Sequence, residues 1–207
     1  MKKNMLANVI TLSRIVLAFV TLGLLELKNL IVTAIAVFLI IFIIFLDFLD
    51  GYIARKLKIS SEFGALFDIT GDRIVEIIFW IYFSVRGLVS FWFPVIVISR
   101  GIIVDTLRSV AFKKGRKPYE MLHSSVSHFL VASPFMRTSY AVMKAITFSL
   151  LGINLLLKYA AFPHVHTFHS ATIIFAYITL LQCIARGIPV IVDSRFYLFE
   201  KKENGQN

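Results

Sequence analysis

Asp47-Phe-Leu-Asp50-Gly51-Tyr-Ile-Ala54-Arg55, then eight residues, then Gly64-Ala-Leu-Phe-Asp68-Ile-Thr-Gly-Asp72: in this stretch four carboxylates stand inside or at the edge of runs oily enough to cross a bilayer. A carboxylate in or near hydrocarbon is costly and marks a functional site with a partner. Four acids on two adjoining segments stay ionised together only if cations sit among them. That points to a divalent-metal site in a membrane protein, and metals of this kind commonly handle phosphate.

The surrounding sequence agrees with a bilayer. Of the 207 residues 58% are hydrophobic, above the usual share of a soluble domain, and 20 are Phe. A spanning helix needs roughly 20 apolar residues. Six such segments are expected, near 6–26, 30–54, 65–86, 91–112, 138–160 and 169–192. Turn or charge clusters separate them: Glu26 to Asn29, Arg55 to Glu62, Arg86-Gly87, Lys113 to Pro118 and Phe162-Pro163-His164. The expectation is an all-α integral membrane protein, one domain over 1–207 with a short polar tail from about 200. The basic Met1-Lys-Lys-Asn start is read as leading into a retained first helix rather than a removed signal. Trp80 and Trp92 are read as interfacial anchors.

Charge sets orientation and partners. There are 22 Lys and Arg against 12 Asp and Glu, which in a membrane protein favours anionic headgroups and phosphorylated substrates over nucleic acid. Lys2, Lys3, Arg55, Lys56, Lys58, the run Lys113 to Lys117, Arg137 and Arg195 fall on one side of the membrane, against Lys28, Arg86 and Lys158 on the other. The positive-inside rule then makes both termini and the aspartates cytoplasmic, at the cell (inner) membrane. Cys183 is alone, so no intrachain disulfide forms. His164, His166 and His169 lack a carboxylate or cysteine partner and are read as an ordinary polar loop, as His123 and His128 are in the linker.

Asp47 and Asp50 are three apart, Asp68 and Asp72 four apart, so each pair shares a helix face. A turn containing Gly51 and a break around Ser60-Ser61 would bring the two faces together. Gly51, Ala54 and Gly64 allow close approach, and Arg55 offers a planar cation to phosphate oxygens. The plainer alternative, aspartates pairing with lysines between helices, accounts for one or two of the acids. A small transporter using the acids as a cation site is the rival of another class, but no internal repeat of the transporter kind is visible.

The pattern Asp-x2-Asp-Gly-x2-Ala-Arg-x8-Gly-x3-Asp-x3-Asp resembles the signature of the CDP-alcohol phosphotransferases, with all eight specified positions matched. The resemblance implies a six-helix membrane enzyme of phospholipid biosynthesis. It would transfer a phosphatidyl group from CDP-diacylglycerol to an alcohol, release CMP, and work as a homodimer with two Mg²⁺ or Mn²⁺ ions. Asp47, Asp50, Asp68 and Asp72 are then the metal ligands, Asp72 also the general base, and Gly51, Gly64 and Arg55 lie along the CDP group. Asn8-Val-Ile-Thr11-Leu-Ser-Arg14 is similar to the family's segment approaching the nucleotide, which adds Asn8 and Thr11; a helix cap at the membrane surface is the alternative for these two.

Basic residues guide the acceptor. Arg100, Arg108, Arg137 and Lys144 lie in or near apolar spans, where a phosphorylated acceptor would supply the missing anion. Ser99 to Arg108 resembles the fourth helix of phosphatidylglycerophosphate synthases, which makes glycerol 3-phosphate the first choice. Snorkelling, or a pair such as Arg108 with Asp105, is the alternative. Gly101 stands where that subgroup has glutamate, the lysine-rich element before the fifth span appears only as Phe135-Met-Arg137-Thr138-Ser, and Asp72-Arg73 looks more like the inositol-phosphate enzymes. Glu76, one turn past Asp72, is read as an internal ion-pair partner.

Overall fold

A computed structural model of the chain describes the backbone of residues 2–57, 62–113, 122 and 124–198, and the side chains among these except 2–7, 48–57, 62, 63, 65, 113, 196 and 197. The expected side-chain contacts of Asp50, Gly51, Arg55 and the run Lys113 to Lys117, and the position of His123, fall outside the described residues.

Among the described residues, six long helices carry the fold: α1 (Lys2–Glu26), α2 (Leu30–Leu57), α3 (Glu62–Val85), α4 (Trp92–Lys113), α6 (Pro134–Tyr159) and α7 (Val165–Leu198). A short turn α5 (Ser125–Ser127) and a π-helical turn (His128–Ala132) lead into α6. The breaks have local causes. Asn29 caps α2 by accepting hydrogen bonds from the amides of Ile31 and Val32 at 3.0 and 3.3 Å. Gly87, at φ 71°, follows the end of α3 in the left-handed conformation that a glycine adopts without strain.

Two expectations are corrected. Gly51 makes no turn, because α2 runs through it to Leu57. Trp80 is no interfacial anchor: it is fully buried, against Phe93 and Phe148 with ring centroids at 5.3 and 5.1 Å, whereas Trp92 is exposed. A tryptophan among Phe, Ile and Val reads the same in sequence whether it faces lipid or the protein interior.

Among the described residues, four helical stretches are long and apolar enough to cross a membrane: Asn8–Glu26, Leu30–Asp47, Pro134–Tyr159 and Val165–Arg195. Helices α3 and α4 are of similar length but carry the charges of Asp68, Asp72, Arg73 and Glu76, and of Arg100, Asp105 and Arg108. Large apolar side chains cover much of the outside, among them Phe38, Phe45, Ile174 and Leu181, as suits a hydrocarbon solvent.

The helices form a closed ring. Each packs on its neighbours in the order α1, α2, α6, α7, α4, α3 and back to α1. Inside lie Phe79, Trp80, Phe83, Phe93, Phe148, Leu151, Ile40 and Ile43. Among the described residues, three seams contain a glycine whose Cβ would stand within 3.0 Å of a side chain of the next helix. A Cβ at Gly71 on α3 would stand 2.6 Å from Thr11 Cγ2 on α1, one at Gly152 on α6 3.0 Å from Ile40 on α2, and one at Gly187 on α7 2.8 Å from the Arg100 stem on α4. Small residues of this kind let helix backbones approach closely where no water drives them together. At the end remote from the aspartates, Arg86 ties α3 to Tyr159 of α6 at 2.5 Å and to Glu26 of α1 at 3.9 Å.

The Gly71 seam gives a test by contrast. Gly71→Ala overpacks against Thr11 and is expected to destabilise the protein by about 1–3 kcal/mol. Gly23→Ala on α1, where a Cβ meets nothing within 4 Å, is expected to stabilise by up to about 1 kcal/mol through helix propensity. Thermal unfolding in detergent compares the two, and equal behaviour would contradict the close α1–α3 seam.

Candidate functional site

Thr11 and Arg14 lie three residues apart on α1, hence on one face. With the buried Thr11 seated over Gly71, Arg14 is carried to the face of α3 that bears Asp68 and Asp72, and to Asp47 of α2. Its guanidinium reaches one carboxylate oxygen of each: Asp47 at 2.6 Å, Asp68 at 3.3 Å and Asp72 at 2.5 Å. The arginine side chain is 4% exposed, while the three acids are 40 to 45% exposed and open to ligands.

The expectation that a cation stands among the aspartates is met in part by the chain itself. Sequence reasoning placed Arg14 only in a nucleotide-approaching segment; its role as common partner of three acids comes from tertiary packing, and the three-residue step from Thr11 is the signal that bears on it. Three carboxylates against one guanidinium leave a formal charge of −2, which one divalent cation would balance. One oxygen from each of Asp47, Asp68 and Asp72 can be chosen so that all lie within 4.8 Å of one another. An all-oxygen, anionic donor set partly open to solvent fits Mg²⁺ or Mn²⁺. Asn8 is half-buried and Thr11 buried, both within α1 rather than at its cap; Gly64 is half-buried near the start of α3.

A second basic centre lies beyond Lys144. Lys144 lines a cavity of about 100 Å³ together with Arg14, Asp47, Asp72 and Glu76. It donates to Glu76 at 3.1 Å and lies 4.9 Å from the centre of the Tyr140 ring. The Arg186 guanidinium of α7 sits over the same ring at 5.2 Å, within electrostatic reach of Arg100, Arg108 and Arg137. The Nε atoms of Arg100 and Arg186 are buried and make no hydrogen bond with the described residues. Sequence reasoning named Arg100, Arg108, Arg137 and Lys144 but missed Arg186; its place next to Gly187, between the apolar runs of α7, is the available signal. Asp105 bonds to Arg73 of α3 at 3.6 Å.

Arg14 gives the second test. Arg14→Gln removes the shared countercharge and is expected to lower stability by about 1–3 kcal/mol, the usual cost of leaving charged partners unsatisfied. Mg²⁺ should raise the unfolding temperature of this variant by more than that of the unsubstituted protein, because the ion then supplies the missing charge. A smaller Mg²⁺ effect in the variant would contradict the geometry.

Comparison with known proteins points to the same chemistry. The CDP-diacylglycerol–glycerol-3-phosphate 3-phosphatidyltransferase of Mycoplasma genitalium is 30% identical over 129 residues, 54% of this chain and 55% of that protein. The protein of the same name from Haemophilus influenzae is 35% identical over 74 residues, 34% of this chain and 40% of that one. A Mycobacterium bovis protein provisionally named a cardiolipin synthase is 31% identical over 77 residues, 37% of each chain. The chain thus spans about half the length, or less, of the curated relatives it matches. The family model for CDP-alcohol phosphatidyltransferases matches residues 4–192, nearly the whole helical ring, and the chain belongs to that family.

Proposed function

We propose that the protein makes phospholipid by transferring the phosphatidyl group of CDP-diacylglycerol to glycerol 3-phosphate, with release of CMP. The observation that carries the reading is the meeting of one carboxylate oxygen each from Asp47, Asp68 and Asp72, on two helices, within 4.8 Å; Arg186, within electrostatic reach of Arg100, Arg108 and Arg137, adds a basic region on α7. In this reading Asp47, Asp50, Asp68 and Asp72 hold two divalent cations, which when bound screen the diphosphate and the charge growing on CMP. Asn8, Thr11, Gly51, Gly64 and Arg55 lie along the CDP group. Asp72 accepts the proton of the acceptor hydroxyl as that oxygen bonds to the lipid-side phosphorus and the phosphorus–CMP oxygen bond breaks. Arg100, Arg108, Arg137, Arg186 and Lys144 receive the acceptor's phosphate.

The helical ring supports the wider proposal. All six long helices cross the membrane, α3 and α4 turning their charges toward the site and the arginine cluster. The excess of Lys and Arg on one side supports a reading with both termini and the site at the cytoplasmic face of the cell membrane. As the resemblance implies, we read the assembly as a homodimer in which each chain carries a complete site. Inositol phosphate is the second reading for the acceptor, favoured by Arg73 directly after Asp72.

CMP release by purified protein with CDP-diacylglycerol and Mg²⁺ is the test, with glycerol 3-phosphate, inositol 1-phosphate, inositol and serine supplied separately. Glycerol 3-phosphate is expected to support turnover, and Asp72→Asn to reduce it by about 10²–10⁴-fold without loss of fold. Use of serine or free inositol alone would overturn the phosphate-acceptor argument, and no CMP release with any acceptor would overturn the transferase reading. Arg186→Gln is expected to raise KM for the phosphorylated acceptor roughly 10–100-fold, the worth of one lost charged hydrogen bond. KM for CDP-diacylglycerol should stay unchanged; an equal rise in both would remove Arg186 from the acceptor site.

A further inference from the structure

Glu76 lies one turn beyond Asp72 on α3, is 3% exposed, and has no part in the reaction proposed above. Its carboxylate accepts hydrogen bonds from the Tyr140 hydroxyl and from Lys144 at 3.1 Å, and Arg73 approaches it at 3.7 Å. Arg73 is shared with Asp105 of α4 at 3.6 Å. Lys144 therefore has two sets of acids to choose between, because Lys144 and Glu76 line the same small cavity as Asp47 and Asp72.

The choice matters for charge. Arg14 already offsets one of the three carboxylates at the centre. An ammonium is a compact point charge on a flexible stem, and it readily takes the place of another cation beside carboxylates. Were Lys144 to turn to Asp47 and Asp72, the centre would keep a formal charge of −1, half of what a divalent ion needs for balance. Glu76 meets this ammonium with a nearly dry carboxylate, and the Tyr140 hydroxyl fixes that carboxylate from a second direction. The Tyr140 ring adds a cation–π contact to the same ammonium.

We propose that Glu76 is a positioning residue for the metal centre: it takes up the charge of Lys144 and so keeps Asp47 and Asp72 free for a divalent cation. The proposal rests on reading the three aspartates as that centre. It makes Glu76 act on metal affinity through Lys144. A purely structural ion pair would change stability but would not make metal affinity depend on Lys144.

Mn²⁺ titration of the purified full chain in detergent, followed by electron paramagnetic resonance, reads this without turnover. Glu76→Gln preserves shape and is expected to weaken Mn²⁺ binding about tenfold, the lower end for a residue that orients a metal site from outside. Adding Lys144→Met to that variant should restore the affinity to within about twofold of the unsubstituted protein, the limit of additivity for single-site effects. Lys144→Met alone should also stay within about twofold. Unchanged binding in Glu76→Gln, or a double variant as weak as Glu76→Gln, would overturn the proposal. If Glu76→Gln does not fold, Lys144→Met decides: a tenfold change in either direction would mean that Glu76 does not hold the ammonium off. Absence of saturable Mn²⁺ binding by the unsubstituted chain would overturn the metal reading itself, an outcome distinct from the failure of Glu76's role.

Discussion

The Arg14 guanidinium touches carboxylate oxygens of Asp47, Asp68 and Asp72 while only 4% exposed. Two carboxylates 4.8 Å apart repel by roughly 3 kcal/mol at an effective dielectric of about 20, a figure that solvent screening reduces for groups as open as these. Two such repulsions, of Asp47 against Asp68 and against Asp72, would drive α2 and α3 apart at this end of the ring. A single delocalised cation, held by α1, offsets part of that repulsion and leaves a residual negative charge. The protein thus closes around its acids without fully neutralising them, which is what a centre for divalent cations requires.

The glycine seams explain how α1 delivers that cation. Thr11 seated over Gly71 places Arg14 against α3, and Arg100 passing over Gly187 crosses the α4–α7 seam close to Arg186. Two charge centres of opposite sign result. One is acidic and offset by Arg14; the other gathers Arg100, Arg108, Arg137 and Arg186. Lys144, Tyr140 and Glu76 lie between them. In the proposed reading, an acceptor phosphate drawn to the basic centre and a diphosphate held through divalent cations at the acidic one would bring the two reactants of a phosphatidyl transfer together.

Much of this was legible from the chain alone, for identifiable reasons. The limits of the long helices follow from runs of apolar residues broken by Asn29, Gly87 and Pro163, so the expected spans match the helices within a few residues, apart from an earlier start and later end for α7. Asp47, Asp68 and Asp72 were legible because helical spacing puts the last two on one face and the short link between α2 and α3 brings in the first. Arg14, Arg186 and the Thr11–Gly71 contact were not, because each depends on which faces of distant helices meet. Trp80 was misplaced for the same reason: hydropathy says that a residue avoids water, not whether lipid or protein surrounds it.

Anomalous diffraction from crystals grown with Mn²⁺ and CDP-diacylglycerol tests the central claim most directly. The account predicts manganese peaks bounded by Asp47, Asp68 and Asp72, with the diphosphate bridging the metal and Arg14 drawn off at least one of its three carboxylates. Arg14 still bound to all three acids, with no manganese between them and the CDP group elsewhere on the protein, would contradict it.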